Sequence, residues 1–453
     1  MPQISYIKYA DVKEAHRYDA EYFRPEYTKN DEIISKKKWE RCINMVERDI
    51  TKGETPLWQG FDYITDGIPF VRSQNFKNFG INRDDLVFVS SEYNKLKKRS
   101  IIKPKDTLLA IVGATIGEVG FYDLTEEGNC NQAVAIISPK NELSKEYFNI
   151  LFRTRNIQLQ ISRSRGGNAR DNFDLFEVRN LKIPILPRSF QIQIEQIVKL
   201  AHQKQTQSKQ LYHEAEELLL QELGLLDYQV KHELTFSTTK KEIEEARRYD
   251  SEYFQPKYAE IIKKIEEYEG GWDFVKNQFK QNTTLSKKDG DYCNYIEISD
   301  VNVSNGEITP NRVEIKNVPA NGKRKLFKDD LLISKVRPYR GAISFIDFEV
   351  DNLLGSGAFT VLQEKTKYKK EVLMIFLKTI FIKELLLRYN CGTSYPVIKD
   401  EDILNLKIPL IKPSIQKQIS EKIQESHRLR KESKELLEEA KRKVEEEIEK
   451  GIV

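Results

Sequence analysis

At 453 residues, 32% of them charged, the chain is long enough for two or three domains with cores of their own, and no apolar run approaches the roughly 18 residues of a membrane-spanning helix. A formal charge of +4 neither defines nor excludes a nucleic-acid binder, because local patches rather than totals set the field at a binding face. Cys42, Cys130, Cys293 and Cys391 form no C-x-x-C pair, which argues against a zinc site or a disulfide framework; with a polar N-terminus unlike a signal peptide, this leads us to expect a cytoplasmic protein.

In chain order, the first signal is the phrase Arg17-Tyr18-Asp19-Ala20-Glu21-Tyr22-Phe23-Arg24-Pro25-Glu26-Tyr27. It returns as Arg248-Tyr249-Asp250-Ser251-Glu252-Tyr253-Phe254-Gln255-Pro256-Lys257-Tyr258, changed only at its fourth, eighth and tenth positions. A long-period repeat of this kind governs the reading of everything between its copies. Residues from about 40 to 187 read as mixed α/β with strands dominant. Ile68–Ser73, Thr107–Val112 and Asn131–Ile137 are the clearest strands, bounded by Gly and Asp/Asn turns. A helix is predicted from Lys145 to Gln160 with Tyr147, Leu151 and Ile157 inward, followed by the glycine turn Ser164-Arg165-Gly166-Gly167-Asn168. Asn180-Leu181-Lys182-Ile183-Pro184 then closes the half and recurs as Asn405-Leu406-Lys407-Ile408-Pro409. In the second half Tyr295–Ser299, Asp330–Ser334 and Gly357–Leu362 take the places of the three strands. A helix around Glu371–Tyr389 leads to Cys391-Gly392-Thr393-Ser394-Tyr395.

Each half ends in a long charged helix, predicted from Ser189 to about Leu223 and from Ser414 to about Lys450, with serine N-caps. At 1.5 Å per residue each is roughly 50 Å long. Laid over each other they share a seam: Ile194/Ile419, Val198/Ile423, Ala201/Ser426, Gln205/Arg430, Ser208/Ser433, Tyr212/Leu437, Ala215/Ala440, Leu219/Val444 and Leu223/Ile448. Steps of four and three residues alternate, which is a coiled-coil period. Neither helix is apolar enough to stand alone, so the two are expected to pair antiparallel, with a close crossing or a partner contact at the small central residues. The polar stretch between 224 and 247 reads as a linker.

Catalytic signatures are scarce. The five histidines lie in helices or linkers away from any metal-ligand spacing. There is no P-loop and no nucleophile elbow. Gly113-Ala114-Thr115-Ile116-Gly117-Glu118-Val119-Gly120 has the wrong spacing for a dinucleotide loop, and a strand is predicted after it. What recurs instead is Arg and Lys beside Gly, Ser, Thr, Asn and Tyr. In the first half the candidate DNA-contacting residues are Lys52, Arg72, Ser73, Asn75, Lys97, Lys98, Thr115, Arg163, Arg165, Gly166, Gly167, Asn168 and Arg170. In the second they are Lys287, Lys288, Lys323, Arg324, Lys335, Arg337, Tyr339, Arg340, Thr393, Ser394 and Tyr395. Cations hold phosphates by charge, Arg, Asn and Ser also reach base edges, and glycines admit a phosphate close to the backbone.

These features together resemble the specificity subunits of type I restriction–modification systems. The resemblance rests on the duplicated R-Y-D-x-E-Y-F-x-P-x-Y phrase, Gly53-Glu54-Thr55-Pro56, Asp106-Thr107-Leu108-Leu109 and Asp329-Asp330-Leu331-Leu332. Lys335-Val336-Arg337-Pro338-Tyr339, N-L-K-I-P and the helix openings Gln191-Ile192-Gln193-Ile194 and Gln416-Lys417-Gln418-Ile419 complete it. It implies an α+β protein with a first target recognition domain over 1–188, a spacer helix over 189–226, a linker over 227–247, a second recognition domain over 248–413 and a second spacer helix over 414–453. It further implies double-stranded DNA as ligand, each domain reading half of a bipartite site and the helices acting as a ruler. The helices would also dock two adenine-methylating modification subunits, which restriction subunits can join. No metal or cofactor belongs to such a chain, since S-adenosylmethionine, ATP and Mg²⁺ sit on its partners. Two other readings stay open: a self-contained DNA-modifying enzyme with an unfamiliar site, and an assembly scaffold. The repeated phrase, being the same in both halves, is expected to be frame rather than site, with Tyr22, Phe23 and Tyr27 packed where domain meets helix pair and Arg17 and Asp19 as polar partners.

Overall fold

A computed structural model describes residues 6–77, 79–83, 85–164, 172–287, 290–392 and 395–450. The chain divides into two compact units, 1–204 with 431–453, and 205–430. This division differs from the segments read off the sequence, because each unit takes in part of both long helices.

In the first unit the centre is a four-stranded antiparallel sheet in the order Thr51–Lys52, Val134–Ile137, Thr107–Ala110, Val119–Phe121. Every residue of the two middle strands is buried, the mark of an apolar run covered on both faces. Leu109, Ala135 and Ile137 face the helices Lys145–Arg153 and Arg155–Ser164. Leu108, Ala110, Val134 and Ile136 face the opposite way, toward Val71, Phe76 and Tyr122. A smaller sheet orders Val87–Val89, Ile68–Val71 and Asn129–Cys130, the last pair parallel. The N-L-K-I-P strand Lys182–Pro184 pairs with Trp39–Arg41.

The second unit repeats the plan. Phe279–Gln281, Phe359–Glu364, Leu331–Ser334 and Ile343–Phe345 form the same antiparallel order. Tyr292–Ile296 lies parallel to Leu353–Gly355, as Ile68–Val71 lies to Asn129–Cys130, so the strand substitutions expected from the sequence hold at the level of topology. Lys407–Pro409 pairs with Trp272–Phe274.

Three expectations need correction. The strand from Ile68 stops at Val71, because Ser73–Asn75 turns into a 3₁₀ helix whose Asn75 side chain accepts the Arg72 N–H at 2.8 Å. The helix placed over Lys145–Gln160 is two helices broken at Thr154, whose backbone is extended (ψ 150°) and whose hydroxyl donates to the Leu151 carbonyl at 2.6 Å. Thr379 breaks the second-half helix into Lys370–Lys378 and Ile380–Leu387 in the same way, donating to the Phe376 carbonyl at 2.6 Å. A threonine hydroxyl that satisfies a carbonyl of its own helix competes with the helical ladder. The serines also do not cap the long helices. Arg188–Glu222 and Pro413–Glu449 begin one residue earlier, and the Pro187 and Lys412 carbonyls accept the first backbone bonds.

The repeated phrase folds the same way twice. Arg17 Nε donates to Asp19 at 2.7 Å, and Asp19 accepts the Tyr22 N–H at 3.0 Å; Arg248, Asp250 and Tyr253 repeat both bonds at 2.6 and 3.1 Å. Each arginine also lies over the tyrosine ring, at 4.9 and 5.0 Å. The glutamines that open the long helices are brackets: Gln191 donates to the Leu186 carbonyl and accepts the Ser144 N–H, while Gln416 does the same with Ile411 and Lys369.

Within the first unit Ile194 and Val198 share a core with Ala440 and Val444, and within the second Ala215 and Leu219 share one with Ile419 and Ile423; all are fully buried. The pairing is antiparallel in both. Ser208 and Ser426 exchange bonds to each other's carbonyls at 2.7 and 2.8 Å, and Ser433 donates to the Ala201 carbonyl at 2.8 Å. Small side chains let the helices approach there, and the hydroxyls, denied water, cross to the facing backbone. Replacing Ser208 by Ala should therefore cost about 1 kcal/mol of stability, and by Leu about 1–3 kcal/mol through overpacking, measured by denaturant unfolding.

Candidate nucleic-acid interface

Two loop regions recur in each unit. The first joins the turn after the central strand to the loop after the broken helix. In the first unit Val112 bridges Asn172, and the Phe173 N–H donates to the Ile111 carbonyl at 2.9 Å. In the second Val336 bridges Val397, and the Ile398 N–H donates to the Lys335 carbonyl at 3.0 Å. The scaffold is shared but the charge changes sides. In the first unit the turn is the uncharged Gly113–Thr115, a short 3₁₀ turn leading to a strand rather than a dinucleotide-binding helix, and the sequence puts the cations in the other loop. Of that loop Arg165, Gly166, Gly167, Asn168 and Arg170 lie outside the described residues. In the second unit the turn itself is cationic, and Thr393 and Ser394 of the facing loop lie outside the described residues.

The cationic turn is built with care. Arg337 occupies the left-handed region (φ 48°), ordinarily left to glycine, and its guanidinium lies 4.9 Å from the ring of Tyr395, itself 70% exposed. Arg340 is exposed and Tyr339 half-buried. Lys335 forms an ion pair with Asp400 at 3.1 Å. Burial alone would raise the Asp400 carboxyl, but the bonds from Thr360 and Lys335 hold it below the ordinary carboxylate range. The pair therefore keeps Lys335 oriented at neutral pH.

The second region is the loop after the edge strand. In the first unit it is tied to the helix Ser91–Leu96 and the turn Lys98–Ser100. The Thr51 hydroxyl donates to the Arg99 carbonyl at 2.7 Å, the Tyr93 hydroxyl to the Glu54 carbonyl at 2.7 Å, and Lys97 bonds Glu54 and Gln59 at 2.6 and 3.2 Å. Lys52, Lys98 and Arg99 remain exposed. In the second unit the loop zips against the segment ahead of its central strand: Ser286 N–H to Lys323 carbonyl at 2.8 Å and Lys325 N–H to Thr284 carbonyl at 3.0 Å. Lys287 and Lys323 are exposed, Arg324 is half-buried, and Lys288 lies outside the described residues.

Several candidates bond to the frame or lie partly buried. Asn75 is fully buried and bonds Asp85, which also holds Arg72. Ser73 and Thr115 are half-buried. Arg163 pairs with Asp31, donates to the Tyr22 carbonyl at 2.8 Å and lies 3.9 Å from the Tyr22 ring. Arg388 takes the equivalent place over Tyr253 at 4.6 Å. The phrase thus packs on the end of the broken helix, while its last tyrosine in the second copy, Tyr258, belongs to the core that takes in Ala215, Leu219, Ile419 and Ile423 of the long helices. Sequence reasoning also missed Leu57 and Trp58, exposed directly after Gly53-Glu54-Thr55-Pro56; two large apolar residues before a Gln-Gly turn were the available signal. Among the described residues no group of three or more His, Cys, Asp or Glu could hold a metal ion, and no helix is long and apolar enough to cross a membrane.

The fold and its loops thus define an internally duplicated α+β protein whose sequence places cations in different loops of a shared scaffold. The family described as "Type I restriction modification DNA specificity domain" matches residues 43–217 and 257–442, so the chain belongs to it. It is 28% identical over 161 residues to the type I restriction enzyme EcoBI specificity subunit of Escherichia coli, a match covering 34% of this chain and 33% of the relative. Among solved structures it is similar to the type I restriction–modification S subunit of M. genitalium (14% identity, 91% and 96% coverage, TM-score 0.44). The HsdS subunit of Thermoanaerobacter tengcongensis is another (14%, 92% and 97%, 0.32).

R163A should lower stability by about 1–3 kcal/mol, since it removes a half-buried ring contact, an ion pair and a carbonyl bond. K98A, on the exposed rim, should stay within about 0.5 kcal/mol of the parent in the same unfolding measurement.

Proposed function

We propose that this chain is the DNA-sequence specificity subunit of a type I restriction–modification complex and is non-catalytic itself. Each unit reads one half of a bipartite, asymmetric site. The long helices fix the spacer and dock two adenine-methylating modification subunits, which restriction subunits can join. Duplex DNA fits the chemistry of the loops, whose Arg, Lys, Tyr and Ser serve phosphates and base edges alike. The observation that carries the reading is the contrast between a retained frame and exchanged loops. The central strands and helix breaks are the same in both units, while the cations of the first loop region move from one loop to its neighbour.

Combining the chain with its cognate modification subunits should give sequence-selective adenine methylation, and mapping methylated adenines in the host genome should give a two-part motif. Unselective methylation would overturn the reading, as would turnover by the chain alone with DNA, Mg²⁺ and S-adenosylmethionine. R337A and R340A should each weaken binding and reduce its salt slope by about one; an assembly scaffold would leave DNA selectivity untouched.

The ruler is tested by lengthening both helices. Because Ser208 faces Ser426, the inserted heptads belong after Ser208 and after Glu425, not at the repeat-equivalent Ser208 and Ser433. The recognised spacer should lengthen while both half-sites stay the same. A changed half-site would contradict independent reading by the two units.

A further inference from the structure

We propose that Trp58, with Leu57 beside it, is an apolar base-contacting element of the first unit, which rests on the DNA-reading function above. Trp58 is 73% and Leu57 56% exposed, on a loop that has little freedom. Gly53 leaves no room for a side chain, since a Cβ there would fall 1.6 Å from the Cys130 carbonyl oxygen. Thr55 bonds Gln132 at 2.6 Å, Pro56–Gln59 forms a 3₁₀ turn, and Gly60 closes it in the left-handed region at φ 78°. Lys97 grips the loop from both sides through Glu54 and Gln59. A tryptophan on a braced turn offers a large contact area with only two side-chain torsions to fix on binding, which is what a recognition anchor requires.

The other two tryptophans show the contrast. Trp39 and Trp272 are half-buried, and each is covered by the lysine of an N-L-K-I-P strand, Lys182 at 5.2 Å and Lys407 at 4.4 Å. The segments bonded to this loop carry Leu96, 62% exposed, and the exposed cations Lys52, Lys98 and Arg99, none of the three in an ion pair among the described residues. Their loops are joined by the bonds from Thr51 to Arg99 and from Tyr93 to Glu54. An apolar tip on a loop bonded to cation-bearing segments complements a duplex, with charges for phosphates and a ring for an unstacked base or a base step. A protein partner bound in two copies would call for the same patch twice. The corresponding loop of the second unit carries Leu285, 64% exposed, and no aromatic residue, as expected of a reader specific to one half-site.

The test uses the chain assembled with its modification subunits and duplexes bearing the mapped motif or scrambled sequence. W58A should bind the motif roughly tenfold or more weakly, with scrambled-duplex affinity and salt slope unchanged, whereas W58F should recover most of the loss. K98A and R99A should instead each lower the slope by about one on both duplexes. A 2-aminopurine placed successively along the first half-site should brighten at one position with the wild type and not with W58A. If W58A matches the wild type on the motif while R337A is impaired, the inference falls and the DNA-reading function stands. If W58A fails to assemble with the modification subunits, the patch is a protein-docking surface and the inference is overturned. If the wild-type complex itself shows no selectivity, both fall together. Thermal unfolding of W58A should match the wild type, as an exposed side chain predicts.

Discussion

A long helix whose apolar residues fill only a narrow stripe cannot persist alone in water. In this chain the stripe of each long helix is divided between two cores. Ile194 and Val198 with Ala440, Val444 and Ile448 belong to the core of the first unit, and Ala215 and Leu219 with Ile419 and Ile423 to that of the second. The helices are therefore not an accessory joined to finished domains. Each unit is completed by a segment of both, and this is why compact units and sequence segments part company at the helices. The serine pair Ser208 and Ser426 satisfies the same constraint where no large side chain fits.

Around those cores the duplication kept devices rather than contacts. Thr154 and Thr379 break their helices identically, and Gln191 and Gln416 fasten helix starts to the loop ahead of the broken helix. The Arg–Asp–Tyr turns of the repeated phrase superimpose bond for bond. The buried carboxylates Asp106 and Asp330 each cap the backbone three residues upstream and are both pushed up by burial. Yet Asp106 finds Arg48, while Asp330 finds Asn282 and Gln363. A buried polar group needs partners but not particular ones, so the frame tolerates a charge pair in one copy and amides in the other. The loops, free of that requirement, diverged further.

How far the site was legible follows from what a cation can do. Arg and Lys in a Gly/Ser/Asn loop satisfy a phosphate or a local carbonyl equally well, and sequence does not tell which. Arg163 reads as a DNA contact until Asp31 and Tyr22 are found beside it; Asn75 reads the same way until it is found buried against Asp85. Lys335 lies between, held by Asp400 at the root of a turn whose half-buried Arg337 lies over the exposed Tyr395 of the facing loop. Trp58 went unseen for the opposite reason. An apolar pair in a loop predicts burial as readily as display, and only the braced turn around Leu57 and Trp58 shows that they are presented.

The sequence by itself determined the duplication, the order of strands and helices, the seam and its antiparallel partnering, because repeats and hydrophobic periods are properties of the chain. Tertiary structure alone decided where helices break, which glutamines and arginines are structural, and that the small seam residues oppose as Ser208 with Ser426 and Ala201 with Ser433. Those outcomes depend on which polar group lies within 3 Å of which other once water is excluded, and neighbours brought together from more than two hundred residues apart cannot be read from either one's local sequence.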